Sequence, residues 1–325
     1  MRRRAFISLL GSAPAAWPLA TSAQQRNMPV IGYLTATSVV PALLVDFRKG
    51  LAEQGYVEGR NVTIEFRAAE GKYDRLPAMA AELVARRVDV LVTGGGNVAA
   101  LAAQAATGIV PIVFLGGGDP VAGRLVDSLA RPGANVTGVA QLNTAGETKR
   151  LQLLHEFVPN ASTIAFLQNP NYRQDDVAQN VEEAARSLGV KLLMVRASNE
   201  HDLLNAFATV SRERAGGLLA GTDPYFFVQR DLIVALSAHH RLPTIYFFRE
   251  FVLAGGLVSY GTDLADAYRQ LGVYAGKVLG GTKPANLPVT QQSEKIELVI
   301  NMKTARTLGL TIPPSILARA DDVIE

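Results

Sequence analysis

The sequence predicts an α/β protein made of two similar doubly wound parallel sheets. Three observations carry that reading. Short β-branched runs alternate with amphipathic segments of helical length, the pattern of the first half returns in the second, and 325 residues exceed what one hydrophobic core usually serves.

At the amino terminus, Arg2, Arg3 and Arg4 precede an apolar run from Ala5 to Ala20, which ends in Thr21, Ser22, Ala23 and Gln24. Charged, apolar and small residues in that order are the layout of a cleaved export signal, here residues 1–23. The run contains Gly11, Pro14 and Pro18 and falls short of the ~20 apolar residues that spanning a membrane requires. The Arg-Arg-Arg-Ala-Phe-Ile order resembles a twin-arginine signal, with ordinary secretion as the alternative route. The sequence has no Cys, so neither a lipid-anchoring cysteine nor a disulfide is available. The expectation is a periplasmic protein that is not anchored to the membrane. Removal of 1–23 takes away three arginines and no acid, so 32 basic residues become 29 against 29 acidic ones. A neutral chain without Lys/Arg runs offers no phosphate-binding face, and nucleic acid is not an expected partner.

Strands are predicted in the first half at Val30 to Thr35, Val62 to Arg67, Val88 to Thr93, Pro111 to Leu115 and Asn135 to Ala140. Between the first two, Leu43, Phe47 and Leu51 recur four apart and form one apolar stripe, with Gly55 as the stop signal. In the second half the strands are Thr163 to Gln168, Val190 to Arg196, Gly217 to Ala220 and Leu242 to Phe247. Corresponding blocks match in residue type: Val30-Ile-Gly-Tyr-Leu-Thr with Thr163-Ile-Ala-Phe-Leu-Gln, Gly55 with Gly189, Val90-Leu-Val-Thr-Gly with Gly217-Leu-Leu-Ala-Gly, and Val110-Pro-Ile-Val-Phe with Leu242-Pro-Thr-Ile-Tyr. Their spacing of 127 to 134 residues predicts two similar open sheets that follow one another, with chance similarity between short apolar βα units as the alternative.

In open α/β sheets, ligands bind beyond the carboxyl ends of the strands, where helix amino termini present unpaired N–H groups. The informative residues therefore follow each strand. They are Thr35-Ala-Thr37-Ser38, Gly94-Gly95-Gly-Asn97 and Gly116-Gly117-Gly-Asp119 in the first half, and Asn169-Pro-Asn-Tyr172, Gly221-Thr-Asp223-Pro-Tyr225 and Phe247-Phe248-Arg-Glu in the second. Backbone-exposing glycines occur in both sets, and the aromatic residues are concentrated in the second.

Four stretches resemble the substrate-binding components of ABC transporters, in the branch that includes tryptophan and tyrosine binders. They are Pro29-Val-Ile-Gly-Tyr-Leu; Leu51-Ala-Glu-Gln-Gly-Tyr-Val-Glu-Gly-Arg-Asn-Val; Asp119-Pro-Val-Ala-Gly-Arg-Leu-Val-Asp-Ser-Leu-Ala-Arg-Pro-Gly-Ala-Asn-Val-Thr-Gly; and Glu297-Leu-Val-Ile-Asn-Met-Lys-Thr-Ala-Arg-Thr-Leu-Gly-Leu-Thr-Ile-Pro. The resemblance implies a type I periplasmic-binding fold, with two lobes joined by a multi-strand hinge that the chain crosses three times. Crossings are placed around Gln141 to Thr144, Ala254 to Gly256 and Pro284 to Thr290. The lobes are then 28–140 plus 254–284, and 141–253 plus 285–325. It also implies a small ligand in the cleft, an ABC transporter permease as partner, and no chemistry.

Particular residues bear on other function classes. Gly94-Gly-Gly-Asn-Val-Ala99 fits a dinucleotide fingerprint, with Asp119 in place for the ribose, but it follows the third strand and not the first. Leu257-Val-Ser259-Tyr-Gly261 lacks the first glycine of a nucleophile elbow. His155, His201, His239 and His240 show no metal spacing, and no phosphate loop is present. No cofactor, metal or catalytic residue is expected. The alternatives are an exported NAD(P)-binding oxidoreductase and a binding protein that presents its ligand to a membrane sensor.

The expected ligand is a small carboxylate-bearing molecule, an amino acid with an aromatic or large apolar side chain. Thr35, Thr37, Ser38 and Asn97, with the N–H groups near them, are candidates for its carboxylate. Asp119 and Asp223 are candidates for its ammonium group, and either is equally read as a helix cap before proline. Tyr172, Tyr225 and Phe248 would pack its side chain. Strand alternation predicts that at most one of Phe247 and Phe248 reaches it. Gly95, Gly117, Thr144 and Asn169, all at strand ends or crossings, complete the candidate set.

Overall fold

A computed structural model describes residues 28–141, 146–172, 175–292 and 296–325. The export segment 1–23 and Thr144 lie outside the described residues. Among these residues no helix is long and apolar enough to cross a membrane.

The strands are β1 (Val30–Thr35), β2 (Thr63–Ala68), β3 (Val90–Gly94), β4 (Ile112–Gly116), β5 (Val136–Gln141), β6 (Thr163–Gln168), β7 (Lys191–Arg196), β8 (Gly217–Ala220), β9 (Thr244–Tyr246), β10 (Val258–Thr262), β11 (Thr290–Gln292), β12 (Ile296–Asn301) and β13 (Asp322–Ile324). The helices are α1 (Pro41–Glu53), α2 (Leu76–Ala85), α3 (Asn97–Ala106), α4 (Glu147–Phe157), α5 (Asp175–Ser187), α6 (Glu200–Arg212), α7 (Pro224–Val228), α8 (Arg230–His239), α9 (Arg249–Leu253), α10 (Leu264–Leu279), α11 (Met302–Leu308) and α12 (Pro314–Leu317).

Strand order is β11-β5-β4-β3-β1-β2 in one sheet and β13-β12-β10-β9-β8-β6-β7 in the other. All pairings are parallel except β10 with β12. The run 2-1-3-4-5 of the first sheet returns as 7-6-8-9-10 in the second, so the blocks matched in sequence occupy matching places: β1 with β6, β3 with β8, β4 with β9. This is the doubly wound order with a switch point beside the first strand of each unit.

Local chemistry explains the elements around the cleft. Helix α1 starts with Pro41 in its first turn and buries Leu43, Phe47 and Leu51, the stripe seen in the sequence. Gly55 follows at φ +85, a left-handed conformation that glycine adopts without strain. Helix α10 returns to the first lobe and packs on α1 through two glycines: a Cβ on Gly50 would overlap the Arg269 carbonyl, and one on Gly272 the Phe47 carbonyl. Alanine at either position would force the helices apart, at a cost of about 1–3 kcal/mol.

The strand pairings move two of the expected crossings. Val258–Thr262 bonds to β9 and β12 within the second sheet, so the chain leaves that sheet at Thr262 and not at Ala254 to Gly256. The glycines there have another task. Gly255, at φ +105, follows Ala254, the C-cap of α9, and Gly256 lies so close to Tyr246 and Phe251 that a side chain would not fit. The third crossing also falls later than Pro284 to Thr290. Thr290 pairs with Val139 and Gln292 with Gln141 in the first sheet, whereas Ile296 already pairs with Thr262 in the second.

Candidate functional site

The carboxyl ends of the two sheets face each other across a cleft lined from both lobes. Its first-lobe side consists of Thr37, Gly95, Gly96, Leu115, Gly117 and Gln141, with Leu264 and Tyr268 from α10. The second lobe contributes Tyr172, Thr222, Asp223, Pro224, Phe227, Phe247 and Phe248.

On the first lobe the side chains are small and fixed. Thr35 and Thr37 share a hydroxyl hydrogen bond of 2.9 Å, and the Thr37 N–H donates to Thr35 Oγ1 at 3.2 Å. Thr37 thereby lines the cleft with Thr35 buried behind it. Gly95 and Gly96 have φ of +73 and +87, a region costly for other residues, and they open α3. A Cβ on Gly95 would sit 2.9 Å from the Thr37 nitrogen, and one on Gly96 3.1 Å from the Tyr172 hydroxyl of the opposite lobe. The fingerprint-like turn is thus covered by Tyr172 and Pro224.

The second lobe presents the charge and most of the rings. Asp223 Oδ1 accepts the N–H groups of Tyr225 at 2.8 Å and Phe226 at 3.2 Å, capping α7, and also accepts Asn169 Nδ2 at 3.1 Å. Its Oδ2 accepts the Tyr73 hydroxyl of the first lobe at 2.9 Å. The same Tyr73 oxygen accepts the Tyr225 N–H at 2.9 Å, so one phenol bridges the lobes. Burial pushes the Asp223 carboxyl up to about 6. Burial and the nearby Asp223 push the Tyr73 phenol far above its ordinary range. Phe227 meets Phe248 edge-on at 5.7 Å between ring centres, and Phe247 meets Phe248 at 4.9 Å.

Of the residues named from sequence, Thr37, Gly95, Gly117, Tyr172, Asp223 and Phe248 line the cleft. Several others are placed elsewhere. Ser38 stands half-buried beyond Thr37, and its carbonyl accepts the Thr37 hydroxyl at 3.1 Å. Asn97 turns toward the Gly116–Gly118 turn, where a Cβ on Gly118 would be 3.2 Å from its Nδ2. Asp119 is exposed and caps its own turn through the N–H groups of Val121 at 2.8 Å and Ala122 at 3.1 Å. Asn169 supports Asp223 from a neighbouring smaller cavity. Tyr225 lies over Gly71 of the first lobe, where a Cβ would come within 2.8 Å of its ring, and Phe227 takes the place in the cleft wall. Phe247 and Phe248 both line the cleft: β9 ends at Tyr246, so strand alternation no longer governs them. Sequence reasoning missed Tyr73, Thr222, Phe227, Leu264 and Tyr268. The last two follow β10, and reading Val258–Thr262 as a strand would have exposed them by the same strand-end rule.

Residues 40–324 match the family model of the ABC transporter substrate binding proteins. Over 269 residues the chain is 26% identical to the tyrosine-binding protein of Clostridioides difficile (strain R20291), covering 81% of this chain and 75% of that protein. Its fold matches a conserved domain protein from Vibrio cholerae with a TM-score of 0.83 and 28% identity, covering 91% of this chain and all of that one. It also matches the ABC domain from Streptococcus pneumonia in complex with L-Trp, with a TM-score of 0.82 and 28% identity over 92% of this chain and 100% of the other. The chain belongs to the ABC transporter substrate binding protein family.

Proposed function

We propose that the chain is the exported, periplasmic solute-binding component of an ABC uptake system, and that it closes its lobes over an α-amino acid with an aromatic or large apolar side chain. The observation that carries this reading is the cleft itself, in which one buried carboxylate, Asp223, stands beside a wall formed by Phe227, Phe247 and Phe248. Opposite them are the Thr37 hydroxyl and the glycine turn that opens α3. A carboxylate suits that side, since a helix amino terminus carries partial positive charge. An ammonium group suits Asp223, whose Oδ2 keeps acceptor capacity beside the Tyr73 bond. Apolar rings suit the remainder, with stacking worth about 0.5–1.5 kcal/mol beyond burial. The relatives described above, one named as a tyrosine binder and one held in complex with L-Trp, support the same ligand class.

The lobes would work as a hinged pair. Ligand docks on one lobe, the other rotates over it, and the Tyr73 hydroxyl then meets Asp223 and the Tyr225 N–H. The closed surface is what a permease would recognise before release. Residues 1–23 would direct export and be removed, so the amino terminus of periplasmic material should lie at or near Gln24. Calorimetry with tryptophan, tyrosine, phenylalanine and leucine tests the ligand class, and small-angle scattering should show compaction on binding. Saturation at 100 times the dissociation constant should raise stability by about 2.7 kcal/mol. Binding of a sugar or an uncharged aromatic with none of the four amino acids bound at millimolar concentration would overturn the ligand class. Turnover of the bound compound would overturn the reading as a carrier.

A further inference from the structure

A second, narrow cavity adjoins the cleft and shares Tyr172, Thr222 and Asp223 with it. Glu147, the first residue of α4, lines this annex and is 1% exposed. Its Oε1 accepts the Thr222 N–H at 2.7 Å and lies 3.6 Å from Arg150 Nη2. Its Oε2 is buried and has no hydrogen-bond partner among the described residues. Arg150 is fully buried as well, and donates to Thr222 Oγ1 at 2.8 Å and the Tyr260 carbonyl at 3.1 Å.

Among the described residues, two buried carboxylates, Glu147 and Asp223, face one buried guanidinium, Arg150, and a buried charge without compensation is costly. Burial raises the pKa of both acids, and each lies close enough for Asp223 to raise Glu147 further. A proton relieves the imbalance at low pH. A cation relieves it at neutral pH, provided that it brings hydrogen-bond donors to Asp223 Oδ2 and Glu147 Oε2. An ammonium group carries one positive charge and three donors, whereas water brings two donors and no charge. We propose that Glu147 is the second carboxylate of an ammonium subsite in this annex, where it selects ligands with a primary amine together with Asp223. The inference rests on the amino-acid reading above for the source of the amine, but the subsite is defined by the cation alone.

Calorimetry with three probes separates the two ideas: L-tryptophan, its des-amino analogue indole-3-propionate, and tryptamine, which has the amine without the carboxylate. Glu147→Gln should weaken tryptophan by roughly 10- to 100-fold, the scale of one hydrogen bond to a charged group, and leave indole-3-propionate unchanged. Equal tryptophan affinity in wild type and variant overturns the subsite and leaves the amino-acid reading standing. Equal losses for tryptophan and indole-3-propionate show that Glu147 only supports the Thr222 backbone, and also overturn it. If wild type binds tryptamine and no amino acid, and the variant loses tryptamine, the subsite stands and the amino-acid reading falls. Wild-type binding of none of the three overturns both. Glu147→Asp keeps the charge and withdraws the carboxylate, so it gives the same selective loss should Glu147→Gln fail to fold. Should neither variant fold, wild type must still prefer tryptophan to indole-3-propionate by more than roughly 10-fold, and equal affinities overturn the proposal.

Discussion

At the end of β3 the first lobe presents Gly95 and Gly96 in left-handed conformations; at the matching end of β8 the second lobe presents Thr222, Asp223 and Pro224. The strands and their order are equivalent, yet the turns do opposite things. The first places two glycines at the cleft and keeps side chains out of the way. The second fills the same position with a buried carboxylate and directs Phe227 inward from α7. Duplication therefore preserved the scaffold while the strand-end residues diverged. On the proposed amino-acid reading, the first lobe would supply contacts that almost any carboxylate could use, and the second would supply discrimination.

The sharpest break in this asymmetry should come from Asp223→Ala. It removes the α7 cap, the partner of Asn169 and the acceptor of Tyr73 in one step. We expect a stability loss of about 3–5 kcal/mol in urea denaturation, the scale of breaking a buried charged network, with tryptophan binding lost at millimolar concentration. Next in size is Phe227→Ala, which should cost about 3 kcal/mol of stability and abolish the preference for aromatic over small amino acids. Tyr225→Ala provides the contrast. It removes a ring that covers Gly71 across the lobe boundary, so calorimetry should show weaker closure for every ligand with the order of preference unchanged.

The pH dependence divides the lobes in the same way, because the acids with raised pKa are on the second. Asp223 has a folded-state pKa of about 6 against an ordinary 3.8, so folding favours its protonated form. The stability contributed by this group is complete below pH 3.8 and is lost as pH rises through about 6, amounting to about 3 kcal/mol. Glu250, pushed up to about 7 by burial and by Glu297, acts with the same sign. Thermal melts of the free protein should therefore fall between pH 4 and 7. A ligand ammonium beside Asp223, with Glu147, Asn169 and Tyr73 around it, favours the ionised form, so the ligand-induced shift should grow over the same range. A shift independent of pH would place the cation elsewhere.

The scaffold was far more legible in the sequence than the site. Parallel strands buried on both faces advertise themselves as β-branched runs, and nine were visible with edges within two residues or so. Val258–Thr262 was missed because what defines it is pairing with Ile296–Ile300, more than thirty residues away, and not its composition. Asn97 and Asp119 sit at strand ends as the rule requires, but a strand-end position does not say where a side chain points; one turned to a neighbouring glycine turn and the other to its own backbone. Tyr73 gave no signal, since its role exists only when the opposite lobe is beside it.

Tyr73→Phe isolates that role. The ring stays and one hydroxyl is lost, with its bonds to Asp223 and the Tyr225 N–H. Because that N–H also reaches Asp223 Oδ1 at 2.8 Å, it keeps a partner, and the loss should be near 1 kcal/mol. Stopped-flow release should quicken roughly 5-fold with association unchanged, since the bonds form only after closure. A slower association instead would mean that Tyr73 shapes the open cleft.

The smallest effect should come from Asp119→Ala, which tests the comparison from the first lobe. Asp119 and Asp223 both precede a proline, both follow a glycine-containing strand end, and both accept two successive backbone N–H groups on one oxygen. They differ in surroundings. Asp119 is exposed and is not among the cleft-lining residues, whereas Asp223 is 2% exposed and reaches across to Tyr73. An exposed cap is worth about 0.5–1 kcal/mol, and water replaces the lost acceptor for Val121 and Ala122. Urea denaturation should register that loss, and the calorimetric affinity for tryptophan should not move. If tryptophan weakens more than roughly 5-fold, well beyond what a lost cap explains, the first lobe contributes a charge to recognition and the division of labour between the lobes is wrong.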